Sequence, residues 1–340
     1  MSKECRFGAV IVNYNCAPLA IDAALSFLGA GGAKAVIVDN ASPDGSAIAI
    51  NRILKGEAAH ETEGPLAPPD GEDPRFAAIA SLPPGALKLL RSTRNGGFAF
   101  GCNIGLRALA ADPAIDRFLL LNPDALVARR ALAAFGDRLM DDRAGLCGAT
   151  VLAFDQPHRV QAFGGARLDP LLLTGRNIGE GDCVRDAPDR GSVEARMTYP
   201  LGAAIALRRD YLQRGGFLDE RYFLYYEEAD WAFAGGPANR PCWAPGAIVY
   251  HRYGAASKSR KKDAGQPSDR SPLSDYHMTR SRILFAAKWR PILAPVAVAA
   301  GGAQAANRLA RGRRANAAAI LKASLPWADR EFRLSPTAAE

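Results

Sequence analysis

The chain has 340 residues, of which 48% are hydrophobic and 23% charged. This composition excludes a mainly disordered or fibrous protein, and it supplies enough apolar side chains for a sizeable core in one large domain or two smaller ones. The formal net charge of +8 is concentrated towards the C-terminus, because residues 1–251 hold 26 Lys and Arg against 29 Asp and Glu, whereas residues 252–340 hold 17 against 6.

The cysteines and the N-terminal residues predict a reducing, cytoplasmic setting. The six cysteines include no Cys-x-x-Cys pair, which argues against a zinc cluster or a disulfide scaffold. Residues 1–6 lead into the first apolar run without the core of a signal peptide. The longest uncharged run, Pro291–Asn307, is interrupted by Pro and Gly and is shorter than the roughly 20 apolar residues of a spanning helix.

Two strands open the chain. Phe7–Asn13 and Ala35–Asp39 are short apolar runs that end in polar residues, a pattern typical of buried strands. Helical spacing of apolar residues predicts one helix at Pro18–Leu28 and another at Ser46–Leu54. Residues 56–85 are acidic and crowded with Pro and Gly, so we interpret them as a surface insertion or loop.

Two further strands, Leu87–Arg91 and Phe118–Leu121, flank the glycine-rich turn Asn95–Gly105 and the helix that follows it. Alternation of strands and helices predicts an α/β fold with a doubly wound, mostly parallel sheet. In such a sheet, ligands bind beyond the carboxyl ends of the strands. Asn13, Asp39 and Asp124 lie at those ends.

Beyond Asp124 the pattern is less regular. We predict a helix near Arg129–Met140, irregular β structure to about Arg196, and a last strand, Ala247–His251. Residues 1–252 are predicted to form the main domain, which includes a smaller β region. Residues 253–340 are predicted to form a basic loop and a helical C-terminal extension.

Three strand-end residues suggest ligand chemistry, each with a structural alternative. Asp39 could accept a hydrogen bond from a pyrimidine base, or it could cap the next helix together with Ser42. Asp124, after the rigid Pro123, could bind Mg²⁺ or Mn²⁺, or it could form an Asx turn. His251 could complete a manganese site or be structural.

An acidic cluster is the most unusual feature of the second half. Glu227, Glu228 and Asp230 lie within four residues, so their charges repel and favour retention of a proton, as suits a general base. A solvated acidic helix face is the alternative, but Tyr225 and Trp231 beside the cluster argue against it.

Two phosphate-binding motifs are missing from the sequence. There is no Gly-x-x-x-x-Gly-Lys-Ser/Thr loop, and Gly96–Gly101 does not match Gly-x-Gly-x-x-Gly, so neither an NTPase nor a nicotinamide dehydrogenase is supported. We expect the glycines of Asn95–Gly105 to allow close approach of the backbone to a ligand or to Asp124.

The motifs occur in an order that resembles the family 2 inverting glycosyltransferases of GT-A fold, particularly their rhamnosyltransferase-like branch. The resemblance covers about residues 7–290. It rests on Asn13, Asn15, Asp39–Ser42, Asn95–Gly105, Asn122–Asp124, Gly215–Glu220, Glu227–Trp231 and His251.

The resemblance implies transfer of a sugar such as rhamnose from a nucleotide diphosphate sugar to a saccharide or lipid-diphosphate-linked acceptor in cell-envelope glycan synthesis. It implies a divalent cation, Mg²⁺ or Mn²⁺, held by Asp124 and His251, with Asn122 in place of the first Asp of the family's Asp-x-Asp motif. The donor would be bound by Asn13, Asn15, Asp39, Asn40, Ser42, Asn95, Gly97, Phe98, Asn103, Asn122 and Asp124.

The same resemblance makes Glu228 the general base, with Glu227 and Asp230 as neighbours that orient it or the acceptor. The acceptor side would be lined by Gly202, Asp219, Glu220 and Trp231. One departure is Ala234, which stands where the family usually has Arg and could leave the acidic cluster without an ion pair. A catalytically degenerate module that binds nucleotide sugars or membranes is therefore the alternative function.

The basic C-terminal quarter suggests two further contacts. Lys258, Arg280 and Arg282 could close over the diphosphate. Residues 290–314, an apolar stretch with basic flanks, could rest on an anionic membrane surface, the alternative being a soluble helix with a solvated charged end. Few aromatic residues alternate with the tail's charges, so we expect no binding of nucleic acid.

Overall fold

The computed structural model describes residues 5–62, 64–69, 71, 74–252 and 270–325. These residues form two compact units. The first contains the described residues within Met1–Leu168, Gly175–Arg221 and Glu227–Arg260, and the second those within Asp169–Thr174, Tyr222–Tyr226 and Lys261–Glu340. The predicted domain boundary after residue 252 stays a prediction.

The first unit is an α/β structure. Its strands are β1 (Phe7–Asn13), β2 (Lys34–Asp39), β3 (Leu87–Arg91), β4 (Arg117–Leu121), β5 (Ala125–Val127), β6 (Ala144–Ala153), β7 (Gln156–Phe163), β8 (Gly165–Leu168), β9 (Gly175–Asn177), β10 (Tyr199–Pro200), β11 (Ala204–Arg208) and β12 (Arg240–His251). Its helices are α1 (Ala17–Gly29), α2 (Ser46–Leu54), α3 (Phe98–Ala110), α4 (Ala131–Arg138), α5 (Arg190–Arg196), α6 (Arg209–Gly215) and α7 (Glu227–Ala234).

The large sheet has the strand order β3-β2-β1-β4-β11-β6-β12-β5, with β7 paired to β6, and β8 to β10 form a separate small sheet. Strands β3, β2, β1 and β4 are parallel. Strand β11 is antiparallel to both β4 and β6. The predicted α/β fold class with a smaller β region is confirmed, and the large sheet is mixed, because the pairings of β11 with β4 and β6, of β12 with β5 and of β6 with β7 are antiparallel.

Strand β1 lies at the centre because both of its faces are apolar. Ile11 belongs to one buried cluster, with residues of α1, and Val10 and Val12 belong to another, with residues of α3. Helix α3 packs directly on β1 because it presents glycines: a Cβ on Gly101 would lie 2.7 Å from Val12, and one on Gly105 would lie 2.4 Å from Val10. These glycines therefore serve helix–strand packing rather than the predicted approach to a ligand or to Asp124.

Three parts of the first unit differ from the sequence-based expectation. Helix α5 replaces irregular structure at Arg190–Arg196, where Asp189 caps the helix by accepting a hydrogen bond from the Ser192 amide. Strand β12 begins at Arg240, seven residues before the predicted start, and accommodates its prolines through register shifts beside β6. Within the predicted surface loop, residues 76–82 are held against the core, since the Ala77 amide donates to the Leu25 carbonyl and the side chains of Phe76, Ile79 and Leu82 pack on buried residues.

The second unit contains helices α8 (Pro272–Trp289), α9 (Ala294–Ala310) and α10 (Arg314–Ala323). Buried Asp275 joins all three, because it accepts hydrogen bonds from Arg308 at 2.8 and 3.0 Å and from Asn316 at 2.8 Å. Within the residues the structure describes, no helix combines the length and hydropathy needed to cross a bilayer.

Candidate active site

The ends of β1 and β2 form a polar corner. Asn13 and Asp39 are both buried and stand opposite each other in the sheet register. The Asn13 amide donates to Asp39 Oδ1 at 2.7 Å, and the backbone N–H of Ser42 donates to Asp39 Oδ2 at 3.2 Å. Each carboxylate oxygen keeps one lone pair, so Asp39 can still accept a hydrogen bond from a ligand.

The β2 end is also tied to the glycine-rich turn. Buried Asn40 donates to the side chain of Asn95 at 2.9 Å and to the Gly97 carbonyl at 3.0 Å. Gly97 has φ of 89°, a conformation that favours glycine, and Phe98 begins α3 directly after it. The predicted residues Asn40, Asn95, Gly97 and Phe98 are therefore neighbours.

A cavity of about 280 Å³ opens beside this corner and is lined by Asn15, Asp44, Gly45 and Ser46 among others. The backbone N–H of Asn15 donates to the Ser42 hydroxyl at 3.1 Å. Asn15 Oδ1 and Ser46 Oγ are buried and have no hydrogen-bond partner in the described structure. Because unpaired buried polar atoms cost free energy, these two atoms mark the cavity as a place for a polar ligand.

Asp124 and His251 lie close together further along the same edge of the sheet, at the ends of β4 and β12. His251 stands opposite Ala125 in the β12–β5 pairing, and its Nε2 lies 3.2 Å from Asp124 Oδ1. Both side chains are buried. The backbone N–H of Arg252 also donates to the Asp124 carbonyl at 2.9 Å, which holds the turn in place. The two predicted metal ligands are thus brought together.

Gln161 on β7 sets the orientation of the His251 ring. Its amide nitrogen donates to the backbone carbonyl of His251 at 3.0 Å, and its Oε1 lies 2.8 Å from His251 Nδ1. A carbonyl only accepts, so the amide orientation is fixed and Nδ1 must carry a proton. In the neutral ring, Nε2 then presents its lone pair towards Asp124.

A lone pair facing a carboxylate is favourable only with a proton or a cation between them, and oxygen and imidazole ligands suit Mg²⁺ or Mn²⁺. The Asp124–His251 pair therefore fits a divalent cation, with Gln161 as the outer-shell partner that such a histidine normally has. Among the described residues, no group of three or more His, Cys, Asp or Glu side chains could hold a metal ion. A cation here would need further oxygen ligands from a substrate or water.

Glu228 reaches the same edge through Gly202. A Cβ on Gly202 would lie 2.5 Å from Glu228 Oε1, so only glycine leaves room for this carboxyl group. Gly202 precedes β11, and the next residue, Ala203, accepts a hydrogen bond from the Asn122 amide at 3.0 Å. Glu228 therefore lies beside the Asn122–Asp124 turn.

The acidic cluster is arranged to hold protons. Burial raises the pKa of Glu228 to about 7. Burial, and then the charge of Glu228, raises the pKa of Glu227 well above its usual range. Glu227 and Asp230 are almost fully buried. Near neutral pH, Glu228 can consequently exchange a proton while Glu227 retains one.

The start of α7 is under backbone strain. Tyr225 and Tyr226, directly before Glu227, have φ of 68° and 69°, a region that aromatic residues rarely occupy. Strain of this kind persists where surrounding contacts hold it, and it is often found at functional sites. Within the first unit, α7 is anchored by a hydrogen bond of 2.6 Å from the Tyr211 hydroxyl to the Trp231 carbonyl.

Four predicted site residues have other contacts. Trp231, predicted on the acceptor side, lies in the core and donates to the Gly216 carbonyl at 2.9 Å. Asn103 uses both amide protons, one for the Leu218 carbonyl and one for Glu220, so its predicted contact with the nucleotide sugar would need to replace one of these bonds. Asp219 pairs with Arg221 at 2.6 Å.

None of the predicted diphosphate residues is among the described residues of the first unit. Lys258 is outside the described residues. Arg280 and Arg282 are on α8, and buried Arg282 donates to the Ala297 carbonyl of α9 at 3.4 Å. Their role in diphosphate binding stays a prediction, and in this structure Arg282 supports the packing of two helices.

Comparison with known proteins identifies the fold. No family model and no curated protein matches the chain. Among solved structures, GalNAc-T7 with UDP, GalNAc and Mn²⁺ is similar at a TM-score of 0.55 and 14% identity, over 85% of this chain and 49% of that one. The chain thus spans about half the length of GalNAc-T7.

A second solved structure, S. aureus TarS 1-349 in complex with UDP-GlcNAc, is similar at a TM-score of 0.47 and 12% identity, over 98% of this chain and 93% of that one. The likeness to GalNAc-T7, together with the sheet order and the polar strand ends, shows that the chain has the GT-A fold of glycosyltransferases.

Proposed function

We propose that the protein is an inverting glycosyltransferase that moves a sugar from a nucleotide diphosphate sugar to an acceptor hydroxyl. The observation that carries this proposal is the convergence at one sheet edge of Asp39, the Asp124–His251 pair and Glu228 with its raised pKa. A nucleotide diphosphate sugar needs recognition of its base, charge compensation for its diphosphate and a base for the acceptor. This edge has a residue for each.

The donor would lie along the edge from β2 to β12. Asp39 would accept the N3 proton of a pyrimidine, and the cavity lined by Asn15 and Ser46 would hold the nucleoside. Asp124 and His251 would hold a divalent cation, which when bound would supply Lewis-acid charge compensation for the leaving diphosphate. The fold neighbour with UDP and Mn²⁺ supports a nucleotide and cation of this kind.

Glu228 would then act as general base in a single displacement. Its carboxylate takes the proton from the acceptor hydroxyl while the oxygen attacks the anomeric carbon, the bond to the diphosphate breaks, and the configuration inverts. A pKa of about 7 leaves a substantial fraction of Glu228 ionised at neutral pH while keeping it basic enough to accept a proton. Glu227 and Asp230 would orient it.

A donor panel tests this proposal. Purified protein is incubated with UDP-, dTDP- and GDP-sugars, including dTDP-rhamnose, with Mg²⁺ or Mn²⁺ and with saccharide or lipid-diphosphate-linked acceptors, and released nucleoside diphosphate is measured. Glu228→Gln should reduce turnover by roughly 10²–10⁴-fold, the usual contribution of a general base. The control is Glu57→Gln, which changes an exposed glutamate elsewhere.

Two outcomes would count against catalysis. Turnover by Glu228→Gln at the wild-type rate would remove the proposed base. Binding of a nucleotide sugar without turnover of any acceptor in the panel would favour the alternative function, a degenerate nucleotide-sugar-binding module, for which Ala234 is the sequence motivation.

An anionic membrane is the proposed partner of the second unit. The exposed residues of α9 include no charged side chain, and Val296, Val298 and Leu309 are among them. Beside this helix, Ile292 is 85% exposed. Basic residues lie before it at Lys288 and Arg290 and after it at Arg311, Arg313 and Arg314. An apolar face between basic ends is typical of a helix that lies in the interface of an anionic bilayer.

Vesicle sedimentation tests whether the exposed apolar face of α9 binds an anionic membrane. Wild-type protein should bind vesicles with 30% anionic lipid about tenfold more tightly than neutral ones, as expected when a few basic residues each contribute up to about 1 kcal/mol at the membrane. Val296→Asp with Val298→Asp should abolish the binding, and Ile48→Asp, an exposed apolar site in the first unit, should not. Equal vesicle binding by the wild type and both variants would refute the membrane proposal. It would also be refuted if the wild type were a dimer that the double substitution separates into monomers, because the apolar face would then be a contact between two copies of the chain.

A further inference from the structure

A buried acid on α1 holds the chain segment that follows α2. Asp22 is 1% exposed, and its Oδ1 lies 2.7 Å from His60 Nε2, with little of the His60 side chain exposed. The described residues of 57–77 form what we term the His60 segment. Its far end packs flat on α1, since a Cβ on Gly29 would lie only 1.8 Å from the Arg75 carbonyl oxygen.

Arg252 joins the His60 segment to the candidate cation site. Its guanidinium lies 3.9 Å from Asp22 Oδ2, donates to the Pro65 carbonyl and stacks over the Phe154 ring at 4.5 Å. Its backbone N–H donates to the Asp124 carbonyl, and it directly follows His251 in the chain. The same residue thus contacts the segment through its side chain and the Asp124 turn through its backbone.

This arrangement has an energetic consequence. A buried carboxylate is costly unless it is paired. Of the two partners of Asp22, His60 at 2.7 Å and Arg252 at 3.9 Å, the closer one is supplied only by the docked His60 segment, and the Pro65 carbonyl of the same segment accepts a hydrogen bond from the Arg252 guanidinium. Docking therefore fixes the Arg252 side chain between Asp22, Pro65 and Phe154. With Arg252 fixed, the Asp124 carbonyl and the adjoining His251 backbone have less freedom.

We infer that His60 and Asp22 are positioning residues which act through Arg252 to align Asp124 with His251, so that docking of the His60 segment and cation binding favour each other. This inference rests on the proposed cation site. Coupling between two sites is reciprocal, so a bound cation must also stabilise the docked segment by the same factor. Outer-shell partners of a metal ligand typically contribute about 10- to 100-fold in affinity.

Titration of Mn²⁺ alone, followed by water-proton relaxation, measures one side of the coupling. His60→Ala should weaken Mn²⁺ binding about tenfold, at the low end for an outer-shell group because Arg252 remains. His60→Gln, which can still bond to Asp22, should recover most of the affinity. His158→Ala removes an exposed histidine and should have no effect.

Limited proteolysis measures the reverse effect, that of cation binding on docking of the His60 segment. Saturating Mn²⁺ should slow tryptic cleavage after Arg75 about tenfold in the wild type, and much less in Asp124→Asn. Gly29→Ala displaces the segment without changing a charge, and it should both speed tryptic cleavage after Arg75 and weaken Mn²⁺ binding. Tyr211→Phe loses a buried hydrogen bond in another part of the unit, so it is the control for general destabilisation and should keep wild-type Mn²⁺ affinity.

The outcomes separate the two proposals. If Mn²⁺ binds the wild type and Asp124→Asn equally, or binds neither, the cation site is refuted and the coupling with it. If binding depends on Asp124 but His60→Ala and Gly29→Ala bind Mn²⁺ as tightly as the wild type, only the coupling is refuted, and Asp22 and His60 merely stabilise the fold.

Discussion

Replacement of Glu228 by Gln should make the folded protein more stable at alkaline pH. The pKa of Glu228 is about 7 in the folded state because burial disfavours its ionised form, against an ordinary value of about 4.5. A carboxyl group whose pKa is higher in the folded than in the unfolded state stabilises the fold at pH values below its unfolded-state pKa. This stabilisation is lost as the pH rises towards the folded-state pKa. Above about pH 7 the ionised Glu228 therefore opposes folding.

The magnitude follows from the size of that shift. One pKa unit corresponds to about 1.4 kcal/mol, so the full shift would be worth roughly 3 kcal/mol. Solvent screening of this half-buried group and its coupling to Glu227 reduce the figure to about 1–2 kcal/mol. For a protein of this size, that difference raises the midpoint of thermal unfolding by about 1.5–3 °C.

Thermal unfolding at pH 5 and pH 8.5 is the appropriate assay. Relative to the wild type, Glu228→Gln should gain about 1.5–3 °C more at pH 8.5 than at pH 5, with Glu57→Gln as the exposed control. The wild-type turnover rate should rise with pH through about 7, since only the ionised form accepts a proton. Equal shifts at both pH values would refute the raised pKa and the charge state that we assign to the base.

The other predictions follow from close contacts at the sheet edge. Gly202→Ala should reduce turnover at least tenfold with little loss of stability, because the new methyl group occupies the place of Glu228 Oε1, and steady-state kinetics would reveal it. Asp39→Asn should weaken binding of a pyrimidine nucleotide by about 1–3 kcal/mol, the cost of an unpaired buried donor, and calorimetry measures the change. Gly105→Ala should lower stability by about 1–3 kcal/mol through overpacking against Val10, with nucleotide affinity unchanged in the protein that remains folded.

Much of the parallel half of the sheet could be predicted from local pattern. Strands β1 and β3 have the predicted ends. For β1 the reason is a continuous apolar run closed by a polar residue, which is distinctive of a strand buried on both faces, whereas β3 is a partly buried edge strand. The position of Asp39 and Asp124 at one edge followed from the rule for parallel sheets. The meeting of Asp124 with His251, 127 residues apart, agreed with the expectation drawn from the family resemblance.

Other parts of the site have no local signal. Gln161 reaches His251 only through the pairing of β7 with β6 and of β6 with β12, so nothing in its neighbourhood in the sequence marks it. The His60 segment has no hydrophobic periodicity, and backbone and charged contacts hold it. The family resemblance implies that Trp231 lies on the acceptor side, but helical geometry turns it into the core while Glu228 faces Gly202.

The central claim is that the ends of four strands bind one nucleotide diphosphate. Hydrogen–deuterium exchange with Mn²⁺ and the nucleoside diphosphate that gives the largest thermal shift tests it most directly. Amides near Asn15, Ser42, Asp124 and Arg252 should become protected together, along a single binding curve. Protection confined to one of these strand ends, or found only elsewhere in the protein, would contradict the claim.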